Sequence, residues 1–248
     1  MNSDFVAITD HIKNFSIERE FLGNYLEDEI SKQTTIILVW HKKIDKDFLN
    51  KYPSIRAVVR DGVGYDNIDI DFCKKNNIIV ANTPDYGIDE VADSALAMIL
   101  YLTRKIGKLE ELAKKDSSYW LCKNLNLNMK RINKLSLGII GLGRIGSSIS
   151  LKFSAFSKNI SFYDPYVPNG YDMVHGIHRY TVLSDLLKNS DIVTINTPLN
   201  NETKGMVNKE FLDQMKKGSY LINLSRGPII DNKEIILEKL LSNHLEGY

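Results

Sequence analysis

Cysteine is scarce in this chain of 248 residues: only Cys73 and Cys122 occur, and neither stands in a C-x-x-C or Cys/His ligand spacing. That argues against a disulfide scaffold and against a zinc site built on thiolates. Both are read as small buried hydrophobes in a reducing compartment. Charge of one sign is lacking too, since 32 Lys and Arg stand against 31 Asp and Glu. No global field therefore favours nucleic acid, a membrane surface or a polyanion. No apolar run approaches the roughly 20 residues that cross a bilayer. The opening MNSDFVAITD has no basic region followed by an apolar stretch, so no secretory leader is read there. A cytoplasmic protein with no nucleic-acid or membrane partner is expected. Repeats and low-complexity tracts are absent as well.

What is present is an alternation of short β-branched runs with amphipathic segments, the pattern of parallel sheets covered by helices. The first part offers strands at Phe5–Thr9, Thr35–Trp40, Ile55–Arg60 and Ile78–Asn82, with helices at Asp45–Tyr52 and Asp69–Asn76. Asp89–Arg104 then carries Val91, Ala92, Ala95, Met98, Ile99 and Leu102 at three- and four-residue steps, the period of a buried helix face. Pro84 and Gly87 punctuate its entry. After a polar stretch, Lys105 to Lys134, a second series runs through Leu137–Ile140, Gly143–Ser157, Ile160–Tyr163, Thr181–Lys188, Ile192–Asn196, Val207–Met215, Ser219–Asn223 and Asp231–Leu241. The class is α/β, with two doubly wound parallel-sheet domains at residues 1–86 and 87–248.

The segment LSLGIIGLGRIGSS places Gly141, Gly143 and Gly146 as G-x-G-x-x-G between an apolar strand and a helix opened by Arg144 and Ile145. The first glycine permits a tight turn, the second lets backbone approach a pyrophosphate, and the third lets the helix pack on its strand. The following strand, ISFYD, ends in Asp164, 23 residues after Gly141. A carboxylate there can accept hydrogen bonds from ribose hydroxyls and repel the additional phosphate of NADP, which favours NAD. Other readings stay open. Asp164 could cap a turn before Pro165, the glycines could serve an adenosine site of methyltransferase type, and the Arg144 side chain could follow the pyrophosphate or simply be solvated.

Three more stretches, VRDGVGYDNIDID at 59–71, EVADSALAMILYLTR at 90–104 and NLSRGPIIDNKEI at 223–235, together with GLGRIG at 141–146, resemble the signatures of the D-isomer-specific 2-hydroxyacid dehydrogenases. Within that family the form DYGIDEVAD is most similar to the group containing the C-terminal-binding protein corepressors and their bacterial relatives. The resemblance implies a flavodoxin-like substrate domain, a Rossmann NAD-binding domain, an active site in the cleft between them, and a homodimer. It assigns Arg226 to the carboxylate and carbonyl oxygen of a small 2-hydroxy or 2-oxo acid, and the backbone of Gly62, Val63 and Gly64 to the other side of the carboxylate. Arg60 is a candidate for substrate contact, or else is solvated or salt-bridged. Thr197, Pro198 and Thr203 match positions along the nicotinamide ribose and pyrophosphate. Leu224 and Ser225 match positions at the nicotinamide. Trp120 resembles an aromatic on an exchanged dimer arm, though core packing explains it nearly as well.

The family's general acid is a histidine supported by a glutamate, and both are expected beyond LEGY. His11, His41, His175, His178 and His244 are the histidines present, and none stands in the matching context. His175 and His178 lie three apart without an evident third metal ligand. Another strand is expected just past Tyr248, leaving the NAD-binding domain incomplete and the 248-residue chain catalytically impaired. A non-catalytic, NAD-responsive interaction protein is the alternative.

Overall fold

Asp45 and Asp69 each precede a helix by one residue, and each carboxylate accepts the backbone N–H three residues on, from Phe48 at 3.0 Å and Phe72 at 2.9 Å. Such caps satisfy donors that the first turn leaves without an intrahelical partner. They start two helices of the first of two units in this computed structural model, which describes residues 4–10, 14–115 and 129–248. The units are Met1–Tyr86 and Gly87–Tyr248.

Unit 1 runs β1 (Val6–Ile8), α1 (Ser16–Leu22), β2 (Leu26–Glu27), β3 (Ile36–Val39), α2 (Lys46–Lys51), β4 (Ala57–Arg60), α3 (Ile70–Lys75) and β5 (Ile79–Asn82). Its sheet is parallel throughout, in the order β2-β1-β3-β4-β5. That is the flavodoxin-like 2-1-3-4-5 arrangement. Ile37, Val39 and Val58 bury one face against Ile44, Leu49, Ile55, Ile68 and Cys73. Cys73 is 1% exposed. Burial pushes its thiol up, and the Asp69 charge adds to that, so it stays an inert core group. Cys122 lies outside the described residues. Two elements were not legible in the sequence: α1, which buries no residue, and β2, whose two residues are too few to show a period.

Unit 2 runs α4 (Ile88–Thr103), α5 (Ile106–Lys115), β6 (Leu137–Ile140), α6 (Arg144–Phe153), β7 (Ile160–Tyr163), α7 (Tyr171–His175), β8 (His178–Arg179), α8 (Leu183–Asn189), β9 (Ile192–Ile195), α9 (Lys209–Gln214), β10 (Ser219–Asn223), α10 (Lys233–Leu241) and β11 (Leu245–Gly247). Its parallel sheet has the order β11-β10-β9-β6-β7-β8. Counted within the unit, this is 3-2-1-4-5-6 read from the other edge, the Rossmann arrangement. β6 and β9 are buried along their whole length, as a sheet covered on both faces requires. Leu137, Ile139 and Ile192 pack with Ala92, Ala95 and Ile99 of α4 and Ile149 and Phe153 of α6. Ile140, Val193, Ile195 and Leu221 face Leu186, Phe211, Leu212 and Ile236 on the opposite side.

β11 is an element the sequence did not reveal. Leu245 pairs with Ser219 and Gly247 with Tyr220 across a register shift. Lys105 Nζ joins it to α5's start by an ion pair with Glu246. Three residues bearing one exposed glutamate carry almost no strand pattern, so the pairing comes from β10 beside it.

Candidate functional site

At the carboxyl end of β6 the chain turns through Gly141, whose φ of +87° is a conformation other residues rarely adopt. A Cβ there would stand 3.0 Å from both Asn196 O and Thr197 Cγ2. Gly146, on the first turn of α6, is tighter still, since a Cβ would fall 2.2 Å from Gly141 O. Gly143 differs. It is the N-cap of α6 with nothing within 4 Å of an added Cβ, and no side chain caps the helix. The first two glycines therefore serve close packing, and Gly143 faces open space beside uncapped helix N–H groups, a cradle suited to an anion.

Asp164 closes the edge of this cradle. Its Oδ2 accepts Leu142 N–H and its Oδ1 accepts Tyr166 N–H, both at 2.9 Å. The turn role left open by the sequence is thus real, and a carboxylate has about four acceptor positions, so two are left for another donor. Arg179 braces this corner, donating from Nη2 to Asp164 O at 2.8 Å and Val167 O at 3.1 Å, and from Nη1 to Pro168 O at 3.1 Å. Tyr166 donates its hydroxyl to Glu202, linking the loops after β7 and β9. Arg144 is exposed, and Ile145 is half-buried against the core.

The loop after β9 carries Thr197, Pro198 and Thr203. Thr197 Oγ1 is buried without a hydrogen-bond partner, a donor awaiting an acceptor. Thr203 is committed to the loop itself, accepting Asn200 N–H at 2.9 Å and donating to Pro198 O at 2.6 Å. After β10, Leu224 packs on the core, and Ser225 Oγ donates to Ile195 O at 2.9 Å. Arg226 is half-buried, with Nη1 donating to Ser225 O at 2.9 Å. Asn223 braces the turn from both ends, its Oδ1 accepting Ser225 N–H at 3.1 Å and its Nδ2 donating to Arg226 O at 3.0 Å. Sequence reasoning missed Asn223 and Arg179. The asparagine opens the N-L-S-R-G motif and could have been read as an Asx-turn residue, whereas nothing local marks Arg179.

In unit 1 the carboxyl end of β4 leads into Gly62 at φ +143°. The Arg60 guanidinium folds back to the Asp61 carbonyl and fills the space a Gly62 Cβ would need. Arg60 is 7% exposed, and its Nε has no partner, so the solvated reading does not hold. Gly62 N–H is taken by Thr83 Oγ1 at 2.6 Å. Among the described residues the N–H groups of Val63 and Gly64 have no such partner, while Val63 O accepts Asn82 Nδ2 at 2.8 Å. Of the three amides singled out by the sequence, the last two stay open.

Of the histidines, His41 stacks on Trp40 with ring centroids 3.8 Å apart, and His244 Nε2 lies 2.7 Å from Leu212 O. His175 packs on Tyr171 and His178 against Tyr180. His11 and Trp120 lie outside the described residues. No group of three potential metal ligands occurs among the described residues, and none of their helices is long and apolar enough to cross a membrane.

An open helix N-terminus after a glycine turn, a carboxylate at the next strand end and a braced arginine all lie on one sheet edge, and comparison with known proteins gives that edge a family. The chain is 37% identical to D-3-phosphoglycerate dehydrogenase of Bacillus subtilis over 221 residues, which cover 89% of this chain and 41% of the relative. It is 30% identical to C-terminal-binding protein 1 of Caenorhabditis elegans over 226 residues, covering 90% of this chain and 31% of the relative. The chain thus spans less than half the length of these relatives. A crystal structure of D-lactate dehydrogenase from Aquifex aeolicus, complexed with NAD and lactic acid, superposes with a TM-score of 0.85 at 28% identity, covering 98% of this chain and 75% of that one. Residues 96–248 match the NAD binding domain of the D-isomer specific 2-hydroxyacid dehydrogenases, and the chain belongs to that family.

Proposed function

We propose that the protein is an oxidoreductase that moves a hydride between NAD(H) and C2 of a small D-2-hydroxy or 2-oxo acid. The observation that carries this reading is the sharing of one sheet edge by three loops. The glycine turn after β6, the Thr197–Thr203 loop after β9 and the Leu224–Arg226 turn after β10 sit at the carboxyl ends of adjacent parallel strands. The strand order reverses between β6 and β9, the switch point where such sheets bind ligands.

NAD fits the residues present. Gly143 and the α6 amides would hold the pyrophosphate, Asp164 a ribose, and the unpartnered Thr197 hydroxyl a further polar group of the cofactor. When bound, NAD supplies the hydride chemistry. The chain's own part is to bind, orient and stabilise charge. The Arg226 guanidinium is planar and always protonated, so it can grip a carboxylate oxygen and the neighbouring carbonyl oxygen together. As the carbonyl oxygen gains negative charge, that grip strengthens in the transition state. Within unit 1 the open amides of Val63 and Gly64 would by themselves suit a carboxylate oxygen. We further propose a homodimer, which light scattering tests.

Arg226→Lys tests the reading. Charge survives but the two-point grip is lost. In full-length protein, turnover of any accepted 2-oxo acid should fall more than about tenfold, as loss of a charge-assisted contact implies. NADH affinity should barely move. Unchanged kinetics and unchanged oxamate affinity would place Arg226 outside the substrate site.

Proton delivery is a separate matter. In the family resemblance the donor is a histidine in a context that residues 1–248 do not contain. A polypeptide of those residues alone should bind NADH yet reduce pyruvate, glyoxylate or hydroxypyruvate slowly, lacking the roughly 10²–10⁴-fold that general acids contribute. Robust NADH oxidation by that polypeptide would show that another residue donates the proton. A full-length protein that binds NADH and turns over no 2-oxo acid would favour the NAD-responsive interaction protein instead.

A further inference from the structure

The loop that follows β7 in unit 2 runs Asp164, Pro165, Tyr166, Val167, Pro168. Its two prolines bring no N–H, so the loop has few donors for its own carbonyls. Arg179 supplies them from β8, with Nη2 donating to Asp164 O and Val167 O and Nη1 to Pro168 O. Pro168 O also takes the Tyr171 N–H at 3.3 Å. Among the described residues, Asp164 O and Val167 O have Arg179 alone.

The arginine is itself well fixed. In the β7–β8 ladder it is the register partner of Phe162, and its guanidinium lies over that buried ring, 5.9 Å from the centroid, an attractive placement for a cation. Its Nε is buried and unpartnered. Among the described residues no carboxylate pairs with the guanidinium, so its charge is spent on carbonyl dipoles. A cation kept half-buried without an ion pair is a costly way to brace a turn. What this turn carries is the Asp164 carboxylate, whose oxygens are held by Leu142 N–H and Tyr166 N–H, while the backbone of the same residue is held by Arg179.

We propose that Arg179 is a positioning residue of the cofactor site: by holding the carbonyl of Asp164 it sets where the Asp164 carboxylate stands, and with it the preference for NAD over NADP. The inference rests on the reading of Asp164 as the ribose carboxylate. Specificity is a difference between two affinities, and a carboxylate contributes to it only where it meets the ribose hydroxyls of one cofactor and the additional phosphate of the other. Without the Arg179 donors the loop lets that carboxylate drift, and the hydroxyl contacts and the repulsion weaken together. In this role Arg179 touches neither cofactor. A guanidinium that bound the phosphate directly would act in the opposite direction and favour NADP.

The test uses full-length protein titrated calorimetrically with NAD⁺ and with NADP⁺. Arg179→Met removes every donor while keeping an extended side chain. It should weaken NAD⁺ about tenfold and shrink the NAD-to-NADP ratio at least about threefold, the scale of losing hydrogen bonds behind a contact rather than the contact itself. Arg179→Lys, with one compact donor group, should fall between wild type and Arg179→Met, and it carries the same comparison if the methionine variant does not fold. Added to Asp164→Ala, either substitution should leave the ratio where Asp164→Ala alone puts it, because residues acting through one contact are not additive. Lys239→Met, which removes an ion pair with Asp213 elsewhere in unit 2, is the control and should lower stability without moving the ratio. Arg179 variants that lose stability at an unchanged ratio would overturn the inference and leave Arg179 a structural brace. So would a ratio that rises, since Arg179 would then be attracting the phosphate, or an additive effect on top of Asp164→Ala. Wild-type protein that binds both cofactors equally would instead sink the Asp164 reading itself, and the inference with it.

Discussion

The two units build the same kind of edge and use it in opposite ways. In unit 2 the amides at the start of α6 are left uncapped behind Gly143, and Asp164 ties down only Leu142 and Tyr166 nearby. In unit 1 the amides of Trp40, His41 and Lys42 also converge at strand ends, but Asp10 fills them. A parallel sheet supplies anion-ready backbone donors at its carboxyl edge wherever a loop gathers them. Whether those donors reach a ligand depends on one neighbouring side chain. Unit 2 leaves them open, while unit 1 closes one set and keeps Val63 and Gly64 open.

The sharpest way to break this contrast is to spoil the open edge. Gly146→Ala puts a Cβ 2.2 Å from Gly141 O, a backbone atom that cannot swing aside. We expect unit 2 to lose about 1–3 kcal/mol through overpacking, read by urea denaturation, and NADH affinity to fall more than tenfold by fluorescence titration. Wild-type NADH binding in this variant would mean that α6 can move off its strand at little cost.

Next in size is the closed edge. Asp10→Asn should cost about 1–2 kcal/mol, the lower range for hydrogen bonds to a charged group that is partly solvated. The sign with pH follows from the carboxyl: burial pushes it up, but the amides of Trp40 and His41, the Thr9 hydroxyl and the Lys42 amide outweigh that and hold it below the usual carboxylate range. Its contribution is complete above the unfolded-state value of about 3.9 and is lost as pH falls through the lower folded value. Wild-type stability should therefore drop more steeply than the variant's in that acidic window. Parallel curves from pH 6 to pH 2 would show that Asp10 does not hold the loop by its charge.

The smallest expected effect concerns cofactor choice. NAD should bind well ahead of NADP, and Asp164→Ala should shrink that preference by about tenfold, the size of losing one like-charge contact partly screened by solvent. Because Asp164 also accepts two backbone N–H groups, some stability should go with it. A stability loss with an unchanged NAD-to-NADP ratio would leave Asp164 a turn residue and nothing more.

Long, strongly patterned elements were legible in advance. β6 and β9 are short, largely apolar runs and β10 has the apolar centre Tyr220–Ile222, because both faces of their sheet are covered, and α4 shows its buried face at helical spacing. The short elements were not. β2 and β8 have two residues each and take their pairing from β1 and β7. α5 falls in a polar stretch, where Ile106, Leu109 and Leu112 are outnumbered by lysines and glutamates. At the site, the residues that give local motifs were visible: the glycines, Asp164 and Arg226. Those that hold them were not, because Arg179 reaches Asp164 from 15 positions away, and Asp10 reaches Trp40 from 30.

By itself the sequence determined the α/β class, the glycine turn with its acidic partner, and a family resemblance that the comparisons turned into membership. These rest on local constraints: backbone angles that need glycine, and periodicities fixed by which face is buried. Only the tertiary structure decided that Gly62 N–H is already spent on Thr83, that Arg60 is buried rather than solvated, that β11 pairs with β10, and that Asp10 occupies the amides of unit 1. Three of these depend on groups far apart in the chain arriving within hydrogen-bond reach, and the burial of Arg60 depends on what packs around it. Spacing along a sequence does not encode that, because it is settled by how strands and helices pack.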